Sequence, residues 1–162
     1  MFGIFDSGIG GLTVVRELLR IMPDLSFIYL GDTARTPYGN KSPEVICEYA
    51  VQDTDFLLSE GAKAIIVACN TASSVAIPAL TAGYPKVPIF EVVRPAVAEA
   101  LRVTKTRRIG VMGTRATINS GIYERLLKEP PLRLRGGEGA LRELSQAHNS
   151  SHPPLTLRGG IG

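Results

Sequence analysis

A thiol, an amide and a hydroxyl directly follow one apolar run of the chain. Residues 64–68 read Ala-Ile-Ile-Val-Ala, and Cys69, Asn70 and Thr71 come next. This pattern predicts a buried strand that ends in a strand-to-helix loop, where α/β proteins place reactive groups. Backbone N–H groups at the start of a helix favour the thiolate form of a cysteine. Cys69 is therefore the strongest candidate for chemistry in this sequence.

Three further polar loops are expected beside Cys69. Asp6 and Ser7 follow one apolar run, residues 32–40 follow another, and residues 114–117 follow a later one. The carboxyl ends of parallel strands meet at one edge of a sheet, so these loops should share a crevice. Taken singly, several of these side chains have a simpler interpretation as an Asx turn or as helix caps, namely Asp6, Thr71, Ser73 and Thr117.

The elements that must position these loops alternate along the chain. Short apolar runs predict strands at residues 2–5, 27–30, 64–68, 89–93 and 109–112. Segments with helical periodicity between and after them predict helices at residues 12–21, 43–59, 74–82, 96–103 and 118–128. A run of βα units predicts an α/β fold, in which a parallel sheet of about five strands carries helices on both faces.

Composition limits the class of protein. The 162 residues are 44% hydrophobic and 20% charged with a net charge of +3, which is ordinary for one globular domain. The sequence has no basic leader, no apolar run of membrane-spanning length and no basic stripe with interleaved aromatic residues. We expect a cytoplasmic protein with reduced thiols and no membrane or nucleic-acid partner.

The composition changes near residue 129. Residues 130–162 hold six glycines and four prolines, and Pro-Pro-Leu-Arg-Leu-Arg-Gly-Gly at 130–137 returns almost unchanged at 153–160. We expect an ordered domain at residues 1–128 and a low-complexity, disordered tail rich in Pro, Gly and Arg at 129–162, with one weak helix at 138–146. His148 and His152 are four residues apart and could share a helix face as metal ligands, but Asn149-Ser150-Ser151 and Pro153 disfavour a helix there and no carboxylate or thiol accompanies them, so no metal site is predicted.

The first loop has a rival interpretation as a dinucleotide-binding turn. Gly8-Ile9-Gly10 lies between a predicted strand and a helix, and Asp32 ends the next strand. The third glycine of that fingerprint is replaced by Thr13, and Asp6 would set a carboxylate beside a pyrophosphate that needs donors. The pattern therefore disfavours a dinucleotide.

Five segments together resemble the glutamate racemases. They are GIFDSGIGGLT at 3–13, GDTARTPYGNKS at 31–42, VACNTAS at 67–73, FEVVRPAV at 90–97 and RIGVMGTRAT at 108–117. The first and third are specific to glutamate racemases within the wider amino-acid racemase group. The resemblance covers residues 1 to about 128 and implies one lobe of a two-lobe racemase fold.

The resemblance also implies a reaction and a site. Glutamate racemases convert L-glutamate into the D-isomer for bacterial peptidoglycan without pyridoxal phosphate or metal, with one cysteine on each side of the α-carbon. Carried onto this chain, Cys69 is one acid/base and Asp6 assists its proton transfers. The residues implied to hold the glutamate are Ser7, Tyr38, Gly39, Asn70 and Thr71, with Thr114 and Thr117 as further candidates.

One part of the family's pattern is missing. The sequence holds two cysteines, and the second, Cys47, falls inside a predicted helix, where we expect it to pack against the sheet. Two faces of a substrate require two thiols, so we expect no inversion by this chain alone. The alternative is a truncated, non-catalytic remnant that at most binds glutamate or partners an intact lobe, and a homodimer is compatible with either interpretation.

Overall fold

A four-stranded parallel sheet forms the centre of the protein. The computed structural model describes residues 1–129, so the predicted tail, its helix at 138–146 and both histidines lie outside the described part. The strands are β1 (Phe2–Asp6), β2 (Phe27–Gly31), β3 (Ala64–Val67) and β4 (Ile89–Glu91), in the spatial order β2-β1-β3-β4. In the shared register, Phe5 of β1 pairs with Leu30 of β2 and Val67 of β3.

Helices connect the strands and continue after the last one. They are α1 (Leu12–Ile21), α2 (Pro43–Ser59), α3 (Asn70–Val75), α4 (Ile77–Gly83), α5 (Val93–Val103), α6 (Arg115–Asn119) and α7 (Ile122–Lys128), with one 3-10 turn at Tyr38–Asn40. The start of α2 follows from its sequence: Ser42 Oγ accepts a hydrogen bond from Val45 N, and Pro43 occupies the first turn, where a missing N–H is harmless. No helix of the described part is long and apolar enough to cross a membrane.

Side chains alternate along the strands, so apolar residues point to both faces of the sheet, and helices pack against each face. Phe5, Ile65 and Val67 lie on one face and share a core with α2, α3 and α4. Phe2, Ile4 and Ile66 lie on the other face and pack with α1, among other residues. The predicted α/β architecture with helices on both faces is therefore confirmed.

The strand count differs from the prediction, since within residues 1–129 the sheet has four strands and not five. Residues 109–112 make no strand pairing, and Met112 is 99% exposed. An apolar run becomes a strand only when a neighbour supplies backbone partners. Here Arg107 adopts φ 57°, which interrupts the extended backbone just before the run. Val93 and Val97 of α5 pack with Ile122 and Leu126 of α7 as a separate small core.

Two predicted helices are each divided. The segment at 74–82 belongs to α3 and α4, which meet at Ala76. Pro78 has no N–H with which to continue the hydrogen bonds of α3. The segment at 118–128 belongs to α6 and α7, and Gly121 between them has φ 65°, a left-handed conformation that glycine adopts at low cost.

Candidate active site

Cys69 lies at the carboxyl end of β3, where it caps α3. Its Sγ accepts a hydrogen bond from Ala72 N at 3.4 Å, and its thiol donates to Ser7 Oγ at 3.4 Å. The side chain is 2% exposed. Ser7 follows β1, so the loops after two adjacent strands meet at the sulfur. The predicted approach of Ser7 to Cys69, across 62 residues of sequence, is present.

Asp6 fixes the turn that carries Ser7. Its Oδ2 accepts a hydrogen bond from Gly11 N at 2.9 Å, five residues further along the chain. A Cβ at Gly11 would lie 2.8 Å from Asp6 Cβ and 2.9 Å from Ala68 Cβ, so only glycine fits there. The bond closes the whole loop and is not an Asx turn, in which the side chain bonds the backbone two residues on, and the role of Asp6 in proton transfer stays a prediction.

Tyr29 supports the same loop and escaped the sequence analysis. Its hydroxyl donates to Gly8 O at 3.1 Å. Burial, together with the nearby Asp6 and Cys69, raises the pKa of Tyr29 to about 12, so its proton is retained. In the sequence Tyr29 is one aromatic residue in an apolar strand, and no local signal separates it from core residues.

Three threonine hydroxyls join α3 to the start of α6. Thr71 Oγ1 lies 3.0 Å from Thr114 Oγ1, which in turn lies 3.0 Å from Thr117 Oγ1. Thr114 also caps α6, since its Oγ1 accepts from Thr117 N at 3.3 Å. The helix caps here are Thr114 for α6 and Cys69 for α3, so the capping interpretations of Thr71, Ser73 and Thr117, all of which lie inside these helices, are wrong. The predicted convergence of these loops is present.

Asn70 is held by a second residue that the sequence did not reveal. Its Nδ2 donates to Tyr123 Oη at 3.0 Å, and its Oδ1 lies 3.2 Å from the same oxygen, which can donate to it. Tyr123 belongs to α7. Its position opposite Asn70 depends on how α7 packs, which no local pattern encodes.

Tyr38 turns its hydroxyl toward two carboxylates. The side chain is 1% exposed, and Oη lies within hydrogen-bond distance of two carboxylate oxygens, Asp53 Oδ2 at 2.8 Å and Asp32 Oδ2. The Tyr38 hydroxyl is therefore occupied by these carboxylates, and the role of Tyr38 and Gly39 in holding glutamate stays a prediction. A Cβ at Gly39 would lie 2.3 Å from Thr114 Cβ, so the 3-10 turn rests directly against the start of α6.

Arg35 completes the group around Tyr38. Its Nε donates to Asp32 Oδ2 at 2.6 Å, its Nη2 donates to Asp53 Oδ1 at 2.7 Å, and its guanidinium lies 4.4 Å from the Tyr49 ring centroid. Burial is the main cause that raises the pKa of Asp53 to about 6. Burial and the hydrogen bonds to both carboxylates raise the pKa of Tyr38 as well.

A cavity of about 440 Å³ borders the site. It lies between the 3-10 turn, α3, α5, α6 and α7, and its lining includes Gly39, Ser73, Arg94 and Arg115 but not Cys69. Gly39 is thus shared between the cavity and the site. Across residues 1–129 no group of three or more His, Cys, Asp or Glu side chains is placed to hold a metal ion.

Comparison with known proteins identifies the family. The Asp/Glu/hydantoin racemase family matches residues 13–156. The chain belongs to this family. The glutamate racemase of Persephonella marina is 55% identical over 121 residues, which are 75% of this chain and 46% of the relative.

Solved structures agree with the sequence comparison. The chain is similar to glutamate racemase from Aquifex pyrophilus, with a TM-score of 0.76 and 46% identity over 78% of this chain and 50% of that one. It is also similar to the Francisella tularensis glutamate racemase in complex with D-glutamate, with a TM-score of 0.69 and 41% identity over 78% of this chain and 47% of that one. The chain spans about half the length of the curated relatives it matches.

Proposed function

We propose that this chain is a glutamate-binding lobe of the racemase type, in which Cys69 is one of two acid/base thiols for cofactor-independent racemisation of glutamate. The observation that carries the proposal is the sulfur of Cys69 between Ser7 Oγ and Ala72 N at the carboxyl edge of the sheet. Similarity to a glutamate racemase in complex with D-glutamate supports glutamate as the small-molecule substrate. The proposed lobe is residues 1–128, and the two-thiol reaction to which we propose that it contributes gives D-glutamate for peptidoglycan synthesis in the cytoplasm.

The proposed chemistry is removal of a proton from the α-carbon. The Cys69 thiolate takes that proton to form a thiol, and the electron pair left on carbon is delocalised into the α-carboxylate. Preorganised donors must stabilise this developing charge, and we assign that role to Asn70, Thr71 and the backbone of Gly39. The Ala72 N–H faces the sulfur and stabilises the thiolate before the transfer. Asp6 is the proposed relay for exchange of the thiol proton with solvent.

Inversion needs a proton donor on the opposite face, and Cys47 does not meet that need. Cys47 lies within α2, packs against the core and donates to Val75 O at 3.9 Å. Burial, with a smaller contribution from Glu44, raises the pKa of its thiol. We therefore propose that this chain by itself exchanges the α-proton at one face without forming D-glutamate.

One sample tests both α-proton exchange and the formation of D-glutamate. L-Glutamate is incubated with purified protein in D₂O, loss of the α-proton is read by ¹H NMR, and D-glutamate is measured by chiral chromatography. We expect exchange with the native chain and with the control Cys47→Ser, none with Cys69→Ser, and no D-glutamate in any sample. Cys69-dependent D-glutamate formation would overturn the one-face proposal.

The same samples separate the second candidate, a non-catalytic remnant that binds glutamate or partners an intact lobe. That candidate predicts glutamate-dependent shifts in ¹H–¹⁵N spectra without any exchange of the α-proton. Absence of both shifts and exchange would refute the glutamate-binding proposal itself.

A further inference from the structure

We propose that Asp53, in the middle of α2, is a positioning residue that acts through Tyr38 to hold Gly39 against Thr114 on the wall of the candidate site. The inference rests on the proposed function in one respect, namely that this wall binds glutamate. Asp53 itself touches none of the proposed glutamate-binding groups except Tyr38, whose hydroxyl is turned inward.

The geometry around Asp53 uses both of its oxygens. Oδ2 lies 2.8 Å from Tyr38 Oη, and Oδ1 accepts from Arg35 Nη2 at 2.7 Å. The residue is 1% exposed, so water does not compete for these bonds. Asp32, 7% exposed, accepts from the same two partners. The carboxylates of Asp53 in α2 and Asp32 after β2 thus contact the same tyrosine and the same arginine.

The charges and protons of this group do not balance if both carboxylates are ionised. One guanidinium then faces two buried carboxylates, and the single hydrogen of Tyr38 faces two acceptors. A proton on Asp53 resolves both problems, because Asp53 donates to Tyr38 Oη and Tyr38 donates to Asp32. The raised pKa of Asp53, about 6, places this proton on Asp53 below that pH. The other groups that meet Arg35 here are uncharged, namely the amide of Gln52 and the ring of Tyr49.

Tyr38 is connected to Thr114 through a single residue, Gly39. Gly39 is the next residue of the 3-10 turn, and the space for a Cβ there is already filled by Thr114. Thr114 Oγ1 in turn lies 3.0 Å from Thr71 Oγ1 in α3. A shift of the Tyr38 ring therefore moves Gly39 relative to Thr114, because no free space absorbs the displacement.

The experiment compares Asp53→Asn and Asp53→Ala with Asp55→Asn, a matched substitution on the same helix outside this group. Asp55 is exposed and accepts from Tyr84 Oη at 2.6 Å. ¹H–¹⁵N spectra recorded from pH 4.5 to 8 follow the backbone amide of Gly39. We expect that amide to titrate with a midpoint near 6 in the native chain and in Asp55→Asn, and to lose the titration in Asp53→Asn.

Affinity for L-glutamate is measured in the same series. Asparagine can donate to Tyr38 and accept from Arg35, so Asp53→Asn should bind within about threefold of the native chain, whereas Asp53→Ala should bind about tenfold more weakly. Persistence of the Gly39 titration in Asp53→Asn would overturn the proposal.

The two proposals fail separately. If the native chain does not bind L-glutamate, the proposed function fails, and the Gly39 titration still tests the role of Asp53. If glutamate binds and Asp53→Asn leaves the Gly39 titration in place, positioning by Asp53 fails alone. Should Asp53→Ala not fold, the comparison of Asp53→Asn with Asp55→Asn decides the question by itself.

Discussion

Replacement of Gly39 by alanine tests the contact between the 3-10 turn and α6. The added Cβ would lie 2.3 Å from Thr114 Cβ and 2.6 Å from Thr114 Cγ2, where nonbonded carbon atoms prefer about 3.5–4.0 Å. Thr114 Cβ is bonded to the backbone, so no side-chain rotation removes the overlap. The turn must move by about 1 Å, and we expect Gly39→Ala to lower the free energy of unfolding by about 2–3 kcal/mol, the upper part of the range for overpacking.

Urea denaturation followed by circular dichroism measures this cost. The matched control is Gly83→Ala, because a Cβ at Gly83 in α4 meets nothing within 4 Å. That substitution should be neutral or stabilise the protein by up to about 1 kcal/mol through helix propensity. The difference between the two alanines then isolates the steric effect from the general effect of replacing glycine.

A second background decides whether Thr114 is the cause. Thr114→Gly removes the Cβ that Gly39→Ala would meet, whereas Thr114→Ala retains it. In the Thr114→Gly background we expect the cost of Gly39→Ala to fall below about 1 kcal/mol, a coupling that a double-mutant cycle resolves. An unchanged cost in that background, or a cost under about 0.5 kcal/mol in the native chain, would refute the steric argument.

Three further substitutions test other parts of the structure. Tyr29→Phe removes the hydrogen bond to Gly8 O and should cost about 0.5–1.5 kcal/mol by thermal denaturation, and a neutral result would contradict a supporting role. Leu57→Ala, at a fully buried position, should cost about 2–5 kcal/mol, and its control Phe56→Ala, 47% exposed, should cost clearly less. Burial raises the pKa of Asp53 from 3.8 to about 6, so its contribution is present below pH 4 and is lost as the pH rises through 6. Native stability relative to Asp53→Asn should therefore fall by up to about 3 kcal/mol from pH 4 to 7, and a flat difference would count against the buried acid.

Local signals explain which elements the sequence predicts well. The bounds of α1 and α2 agree with the prediction, and the start of α2 is marked by Ser42 and Pro43. The position of Cys69 beside Ser7 follows from parallel topology alone, since both residues end adjacent strands. These features depend on periodicity, capping and strand direction, all of which are written in short stretches of sequence.

Features that depend on a residue far away in the sequence were not predicted from the sequence. Tyr29 and Tyr123 take their roles from the loops they meet, and Asp53 resembles any charged residue on a helix until Tyr38 and Arg35 are seen beside it. The prediction of a fifth strand was wrong for the same reason. Residues 109–112 carry the apolar pattern of a strand, but no strand in the described part of the chain pairs with them. The apolar pattern of a segment shows which residues it could bury, whereas its tertiary contacts determine which residues are buried.

The contacts around the Cys69 thiol and the contacts among the threonine hydroxyls meet at α3, a helix of six residues. The thiol of Cys69 at its start contacts Ser7 from the β1 loop, while Thr71, two residues later, contacts Thr114 and through it the 3-10 turn. The helix is tied to the sheet by Ser73 Oγ, which donates to Val67 O at 2.9 Å. Asn70 and Thr71, two of the groups proposed to hold glutamate, therefore lie on the same short helix that Cys69 caps, and the bond from Ser73 holds that helix against β3. The spacing between these two groups and the thiol is thus set within one element, whereas Ser7 and Gly39 belong to separate loops and depend on their contacts with Cys69 and Thr114.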